Sequence, residues 1–438
     1  MKRIAIISLL WIISLLVALI WSYENPENIE YFKNYIKKNK EIKAEKVDSV
    51  DEKIIANSFL VKLSQIISLS EKTAFVVYPD KKLEFDPKNL IIYSQNGFIM
   101  KNLKSEKLNL PREFTLQRNG GVKTVFFSES ESYAFLSAKK GNCYYAAIVN
   151  LNIGKEVFKS KCLLDIPKNI DFNGLGSSNI HHDNKIYLAV GTPEKHASKN
   201  SFLAQDLNSV FGKILEIDKE NIQNNLINPM VFTSGHRVPQ GLTKIDGNLF
   251  NAEHGPKGGD EINILEKGEN YGWPIVSYGT NYLKDGGGDG KSYKINHSSN
   301  KFKDPLFAFV PSVGISSLNN CPKILTEYYK SPCLLALSLR GNNLRTGKSL
   351  IIFLLNNKMN KINSIEKIFF GNLKLRHFVT DEKNELYEDT EGNIYVAADK
   401  KGIYKILINT VIAAIFGSIA KKIVTDVGDP SYTSGAHI

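Results

Sequence analysis

Apolar residues in this chain fall in short dense runs, not at helical spacing. From Phe59 onward the segments TAFVVYP, NLIIYSQNGFIM, TVFFSE, CYYAAIVNLN, KIYLAVG, GKILEID, CLLALSLRG, SLIIFLLN and GIYKIL are rich in Val, Ile, Phe and Tyr. Clusters of Asn, Asp, Gly and Lys separate them. Runs of this composition with turn residues between them predict β-strands. Long amphipathic helices are scarce: the candidates are Lys323 to Tyr329 and the lysine-rich stretch after residue 22.

A loose submotif recurs within these runs: a turn pair, one or two apolar residues, a small residue, then a loop. It begins at Asp183 (DNKIYLAVG), Asp246 (DGNLFNAEHG) and Glu391 (EGNIYVAADKKG), with a weaker copy at Glu131 (ESYAFLSAKKG). Starts lying roughly fifty to sixty residues apart, or at multiples of that, match the period of a four-stranded propeller blade. The expected fold is therefore all-β, a six-bladed β-propeller over residues 56–408. A pair of β-sandwiches would show the same strand texture and is the competing architecture.

The two ends of the chain read differently. Lys2 and Arg3 precede an apolar run from Ile4 to Trp21, broken only by Ser8 and Ser14, and a charged stretch follows. That run exceeds the about 7–15 residues of a cleaved leader and approaches the roughly 17–25 that span a bilayer. Residues 1–22 are expected to form a transmembrane signal-anchor helix and 23–55 a polar tether, with the body periplasmic or otherwise extracytoplasmic on the inner membrane. The apolar stretch after Leu407 is short for a span, so 409–438 are expected to carry a helix lying on the body or on the membrane surface. Four cysteines suit an oxidising compartment. The pairs nearest in sequence are Cys143 with Cys162 and Cys321 with Cys333, and the spacing leaves other pairings open.

Charge narrows the field little. The formal net charge of +11 is compatible with an anionic ligand or membrane, but there is no arginine-rich block or basic-aromatic stripe, so no nucleic-acid partner is expected. Chemistry concentrates between Ser234 and Tyr282, where two His, Arg237, Asp260, Glu261, Trp273 and a high glycine density share one stretch. Glycines let backbone turn sharply and approach a ligand, so this segment reads as the wall of a site.

The segment GHRVPQGL followed by EHGPKGGDEINILEKGENYGWPIVSYG resembles the signature of the soluble glucose/sorbosone dehydrogenases, which are quinoprotein sugar dehydrogenases. The likeness extends through AQDLNSVFGKILEID at Ala204, PSVGISSL at Pro311, LSLRG at Leu337 and KLRHFV at Lys374, over roughly residues 165–406. It implies a six-bladed propeller that holds pyrroloquinoline quinone (PQQ) and calcium at the mouth of its axis and oxidises aldoses to lactones. The same residues suit that chemistry, because a flat tricarboxylated quinone needs cations of fixed geometry. The resemblance assigns its carboxylates to Arg237, Arg340, Lys374 and Arg376, Lys374 and Arg376 being an i, i+2 pair that a strand would point one way. Gln240 and Trp273 line the same wall. Backbone carbonyls of Gly255 and Pro256 match the calcium positions, with Asp260 and Glu261 as the carboxylates behind them.

The resemblance places the proton-accepting histidine at Asn173, in DFNGLGSS, and an asparagine takes no proton at neutral pH. His181 or His182 could supply the base instead. His254 and Asp260 are the other residues expected beside the reacting atoms, His254 lining the pocket and Asp260 ordering it. Val238 stands where the signature carries an asparagine. The expected function is PQQ-dependent oxidation of a sugar at its anomeric carbon, with electrons passing to a membrane-side acceptor. A non-catalytic sugar- or ligand-binding propeller is the alternative, and a calcium-dependent lactonase is a second.

Overall fold

A computed structural model describes residues 43–47, 51–55, 59–79, 84–116, 120–163, 175–193, 200–222, 227–281, 292–340 and 348–410. Three strands open the order: β1 (Ala44–Lys46), β2 (Asp51–Ile55) and β3 (Phe59–Leu69). Five four-stranded antiparallel sheets follow. The first holds β4 (Thr73–Val77), β5 (Ile91–Ser94), β6 (Phe98–Lys101) and β7 (Lys104–Lys107). The second holds β8 (Val122–Ser128), β9 (Glu131–Lys140), β10 (Cys143–Asn150) and β11 (Lys155–Lys159). In the third are β12 (Asn179–His182), β13 (Lys185–Val190), β14 (Lys213–Asp218) and β15 (Met230–Ser234). The fourth is β16 (Val238–Ile245), β17 (Asn248–His254), β18 (Asp260–Leu265) and β19 (Phe307–Phe309). The fifth is β20 (Ile315–Asn320), β21 (Cys333–Ser338), β22 (Ser349–Leu355) and β23 (Ile362–Phe369).

The sixth sheet closes the circle. Its strands β24 (Leu375–Phe378), β25 (Ile394–Ala398) and β26 (Gly402–Thr410) continue onto β3, so that chain from both ends builds one blade. First strands of neighbouring sheets touch in a complete ring, from β4 through β8, β12, β16, β20 and β24 back to β4. This is a six-bladed propeller, and closure rules out the paired sandwich. On the far side of β3 lie β1 and β2, which cover its outer edge. Both strands fall inside the stretch expected to be tether. The expected anchor, residues 1–22, and the tail beyond Thr410 lie outside the described residues.

Six hydrophobic clusters occupy the six spaces between neighbouring blades; for example one joins Ala74, Val125 and Ala147, and another Phe250, Leu318 and Phe353. Each middle sheet is therefore buried on both faces. That explains runs such as CLLALS in β21, buried at all six positions, where alternation would be expected of a half-solvated sheet. The recurring submotif is the hairpin into each second strand. Its turn residues Asp183 and Asp246 adopt left-handed φ of 52° and 46°, which short polar side chains tolerate. Cys143 is bridged to Cys162, and Cys321 to Cys333 across the helix α1 (Lys323–Tyr329).

Candidate active site at the axial mouth

In every blade the first strand runs down the axis and the second returns. Connections into first strands, and turns from second to third strands, consequently share one end of the propeller. Arg237 immediately precedes β16, Lys374 immediately precedes β24, and Arg376 is the second residue of β24. His254 ends β17, Gly255 and Pro256 lie in the following turn, and Asp260 begins β18. Arg340 follows β21 in the corresponding turn of the next blade. Topology alone brings these residues from three blades to one mouth.

The signature is first a folding device. Gly235 takes a φ of 75°, and a Cβ there would meet Asn270 Oδ1 at 2.1 Å, so only glycine allows GHR to lie against ENYGW. Tyr271 N donates to Ser234 O (2.9 Å) and Trp273 N to Gly235 O (2.9 Å), clipping the two halves together. Gln205, from AQDLN, donates to Trp273 O at 2.6 Å and accepts from Asn270. His236 is fully buried, stacked on Tyr271 at 4.7 Å between ring centroids, with Nε2 2.8 Å from Thr233 Oγ1. Its role is to hold the turn.

These clips fix Arg237 with its guanidinium carbon 5.0 Å from the Trp273 ring centroid. Its backbone N donates to Glu253 Oε2 at 3.0 Å, while Nη1 donates to the carbonyls of His254 (3.2 Å) and Gly255 (2.5 Å). Asp260 is buried and clasps two blades. Its Oδ1 accepts from Gly255 N (3.1 Å), and its Oδ2 from the amides of Val313 (3.0 Å), Gly314 (2.6 Å) and Ile315 (3.2 Å). Both carboxylate oxygens are engaged, and they tie the turn after β17 to the start of β20.

His254 is half-buried, yet its Nε2 is enclosed and has no hydrogen-bond partner among the described residues. Burial holds this imidazole below its ordinary range; Asp260 opposes that, and the charges of Arg237 and Arg376 add to it. Arg237 and Arg376, two blades apart, thus act on one ring. Arg376 is bound in a bidentate pair with Asp399, Nε to Oδ1 at 2.7 Å and Nη2 to Oδ2. Lys374 and Arg340 are exposed at the rim; Arg340 N donates to Val313 O at 3.0 Å. Gln240 is buried at a bulge in β16. Of the four cations expected to converge, Arg237 lines the pocket, Arg376 is held by Asp399, and Arg340 and Lys374 are exposed at the rim.

Three expectations need correction or fall outside view. Asn173 is outside the described residues. His181 sits on the descending half of β12, its N donating to Lys383 O and its carbonyl accepting from Lys244 Nζ (2.9 Å), and His182 adjoins the turn at Asp183. Both lie at the opposite end of the axis, so neither supplies a base at the mouth. The Gly255 carbonyl already accepts from Arg237, and calcium on that oxygen would sit against a guanidinium. The residues as arranged do not fit calcium there, and among the described residues no cluster of three His, Cys, Asp or Glu is placed to hold a metal.

Sequence reading missed a carboxylate pair. Glu253 and Glu261 lie opposite one another across the β17–β18 hairpin, both buried, on the wall of a small pocket that Arg237, His254, Tyr271 and Trp273 also line. Burial, and next the Glu253 charge, push the Glu261 carboxyl well above the usual range. The two residues are equidistant from the centre of the GPKGG turn, so recognising that hairpin would have paired them. Trp273 Nε1 is also buried without a partner among the described residues.

The molecule is thus a closed six-bladed propeller whose axial mouth holds a pocket lined by a guanidinium, an imidazole and an indole. The glucose/sorbosone dehydrogenase family model matches residues 98–403, and the chain belongs to that family. The aldose sugar dehydrogenase YliI of Escherichia coli (strain K12) is 38% identical over 112 residues, covering 23% of this chain and 29% of that protein. Curated relatives are thus matched over 28–29% of their own length. A solved glucose dehydrogenase shares the fold at 20% identity and a TM-score of 0.59, over 80% of this chain and 99% of that one. The PQQ-bound form of an aldose sugar dehydrogenase from Streptomyces coelicolor shares it at 16% identity and a TM-score of 0.50, over 83% and 99%.

Proposed function

We propose that the protein is a PQQ-dependent dehydrogenase of aldoses, acting at the axial mouth. The observation that carries this reading is the pocket at the mouth lined by Arg237, His254 and Trp273, with the Arg237 guanidinium held over the Trp273 ring at 5.0 Å. His254 Nε2 and Trp273 Nε1, without partners among the described residues and beside buried Arg237, suit a planar anionic ring with peripheral oxygens. When bound, PQQ supplies an ortho-quinone able to take a hydride from the anomeric carbon. Arg237 and Arg376 would hold its carboxylates, with Arg340 and Lys374 closing from the rim. His254, kept neutral by burial, offers Nε2 to a hydroxyl as a hydrogen-bond partner and is a weak base. The expected calcium finds no support at the Gly255 carbonyl, and no step is assigned to it.

A second reading is a binding propeller without turnover. It is favoured by the position of His181 and His182 at the far end of the axis. The hydrolase alternative asks for free carboxylates at the mouth, whereas Asp260, Asp399 and Glu253 are engaged and Glu261 is the carboxylate beside them on the pocket wall. The two disulfides support an extracytoplasmic body, and an anchored body delivering electrons to a membrane acceptor accords with it.

The test is to add PQQ to the full-length protein and follow quinone absorbance while supplying a panel of aldoses. The expected result is saturable binding followed by bleaching with sugar, and weaker binding by about tenfold or more in Arg237→Ala. Bound but unreduced PQQ across the panel would select the non-catalytic reading. No PQQ binding would refute the quinone assignment.

A further inference from the structure

The rim between the sixth and first blades carries more positive charge than its partners neutralise. Lys72 precedes β4, Lys374 precedes β24, and Lys400 lies in the β25–β26 turn, all at the mouth end. Backbone contacts tie these segments to one another: Asp399 N donates to Lys374 O (2.9 Å), and His377 Nε2 lies 3.2 Å from the carbonyl of Thr73, the residue after Lys72. Gln95 N fixes Lys72 from the other side, donating to its carbonyl at 3.0 Å. Asp399, the carboxylate at the centre, is committed to Arg376.

The three lysines make no ion pair among the described residues. Lys374 and Lys400 are exposed, but Lys72 is half-buried, an unusual place for an amine that lacks a counter-ion. Burial, and then the charges of Arg376, Lys400 and Lys374, hold its amine below the ordinary range, with Asp399 opposing. Like charges held within reach of one another are repelled, and an anion placed among them relieves that.

We propose that Lys72 and Lys400, with Lys374 beside them, form a carboxylate-binding site at the mouth, and that the saccharide this protein takes is a uronic acid, not a neutral aldose. The proposal rests on the reading of the mouth as a carbohydrate site and adds the substrate's charge. Lys72 and Lys400 lie outside the set of cations assigned above to the quinone, and solvent-facing Lys400 lets a ligand reach the cluster.

Calorimetric titration of the full-length protein, with and without PQQ, would compare glucuronate and galacturonate with glucose and galactose. A uronate preference of roughly tenfold is expected from two added charge-assisted contacts, falling as salt is raised. Lys72→Met with Lys400→Met should bring acid and neutral sugar to near parity. Lys72→Arg should keep the preference, and Lys400→Glu, a change at an exposed position, should weaken or reverse it. Equal affinity for acid and neutral sugars in the unmodified protein, or a preference that survives the double substitution, would overturn the proposal. So would a double variant that loses PQQ affinity and keeps uronate affinity, since the lysines would then serve the cofactor. If PQQ fails to bind while the uronate preference appears and falls with the lysines, the quinone assignment fails and this site stands.

Discussion

Replacing Asp260 by Asn tests the clasp on which the mouth is built. In the native protein one carboxylate accepts from four backbone amides, at 3.1 Å from Gly255 and 3.0, 2.6 and 3.2 Å from Val313, Gly314 and Ile315. Asparagine keeps one acceptor oxygen, loses the charge and turns an NH2 group toward at least one of these donors. Leaving a buried donor unsatisfied costs about 1–3 kcal/mol, and weakening the remaining charge-assisted bonds adds about 1 kcal/mol or more. The sum, about 2–4 kcal/mol, is a large share of the 5–15 kcal/mol typical of a folded domain. For a body of this size it corresponds to a fall in Tm of about 3–5 °C. Urea unfolding of the two proteins side by side would measure it, and hydrogen exchange should show faster opening at residues 313–315. An Asp260→Asn protein within about 1 kcal/mol of the parent, with those amides still protected, would refute the clasp as described.

Three further outcomes follow from the same coordinates. Gly255→Ala should lose about 1–3 kcal/mol or more and release Arg237, because its Cβ would meet the carbonyl oxygens of Gly259 and Gly258 at 2.1 and 2.3 Å; thermal melting and PQQ titration would read both effects. His181 and His377 should make the fold acid-labile. Burial, first among the causes, lowers each to about 3 from 6.5, so the unfolded chain binds protons that the folded one refuses. That stability is whole above about pH 6.5 and is lost as pH falls toward 3, by about 2 kcal/mol per histidine at pH 5. Urea midpoints at pH 7 and pH 5, repeated on a His377→Gln protein, would check the sign. Replacing Cys321 and Cys333 together by Ser should cost about 2–4 kcal/mol in urea unfolding, the loop between them being 12 residues apart in sequence.

The strand texture, the hairpin submotif and the signature segment were legible in the sequence because each is a local property. A sheet pressed between two others must be apolar on both faces, and a turn that tolerates left-handed φ selects Asp, Asn or Gly wherever it recurs. The number of blades followed from the period, and Lys323 to Tyr329 announced its helix. Cysteine spacing narrowed the bridges without choosing among them. Chain order even hinted at the mouth, since every residue singled out for the quinone lies beside a first strand or in a second turn.

The tertiary arrangement decided the rest. Only when β3 joins β26 do the rim of the first blade and the rim of the sixth become neighbours, which sets Lys72 beside Arg376, residues from opposite ends of the body. The direction of β12 sends His181 to the far end of the axis and removes it as a base at the mouth. Packing of the fourth blade on the fifth gives Asp260 its amides, and pairing across the hairpin sets Glu253 against Glu261. Local composition fixes which backbone conformation is cheapest, whereas charge, burial and proton affinity depend on distances that exist only once all six blades have met.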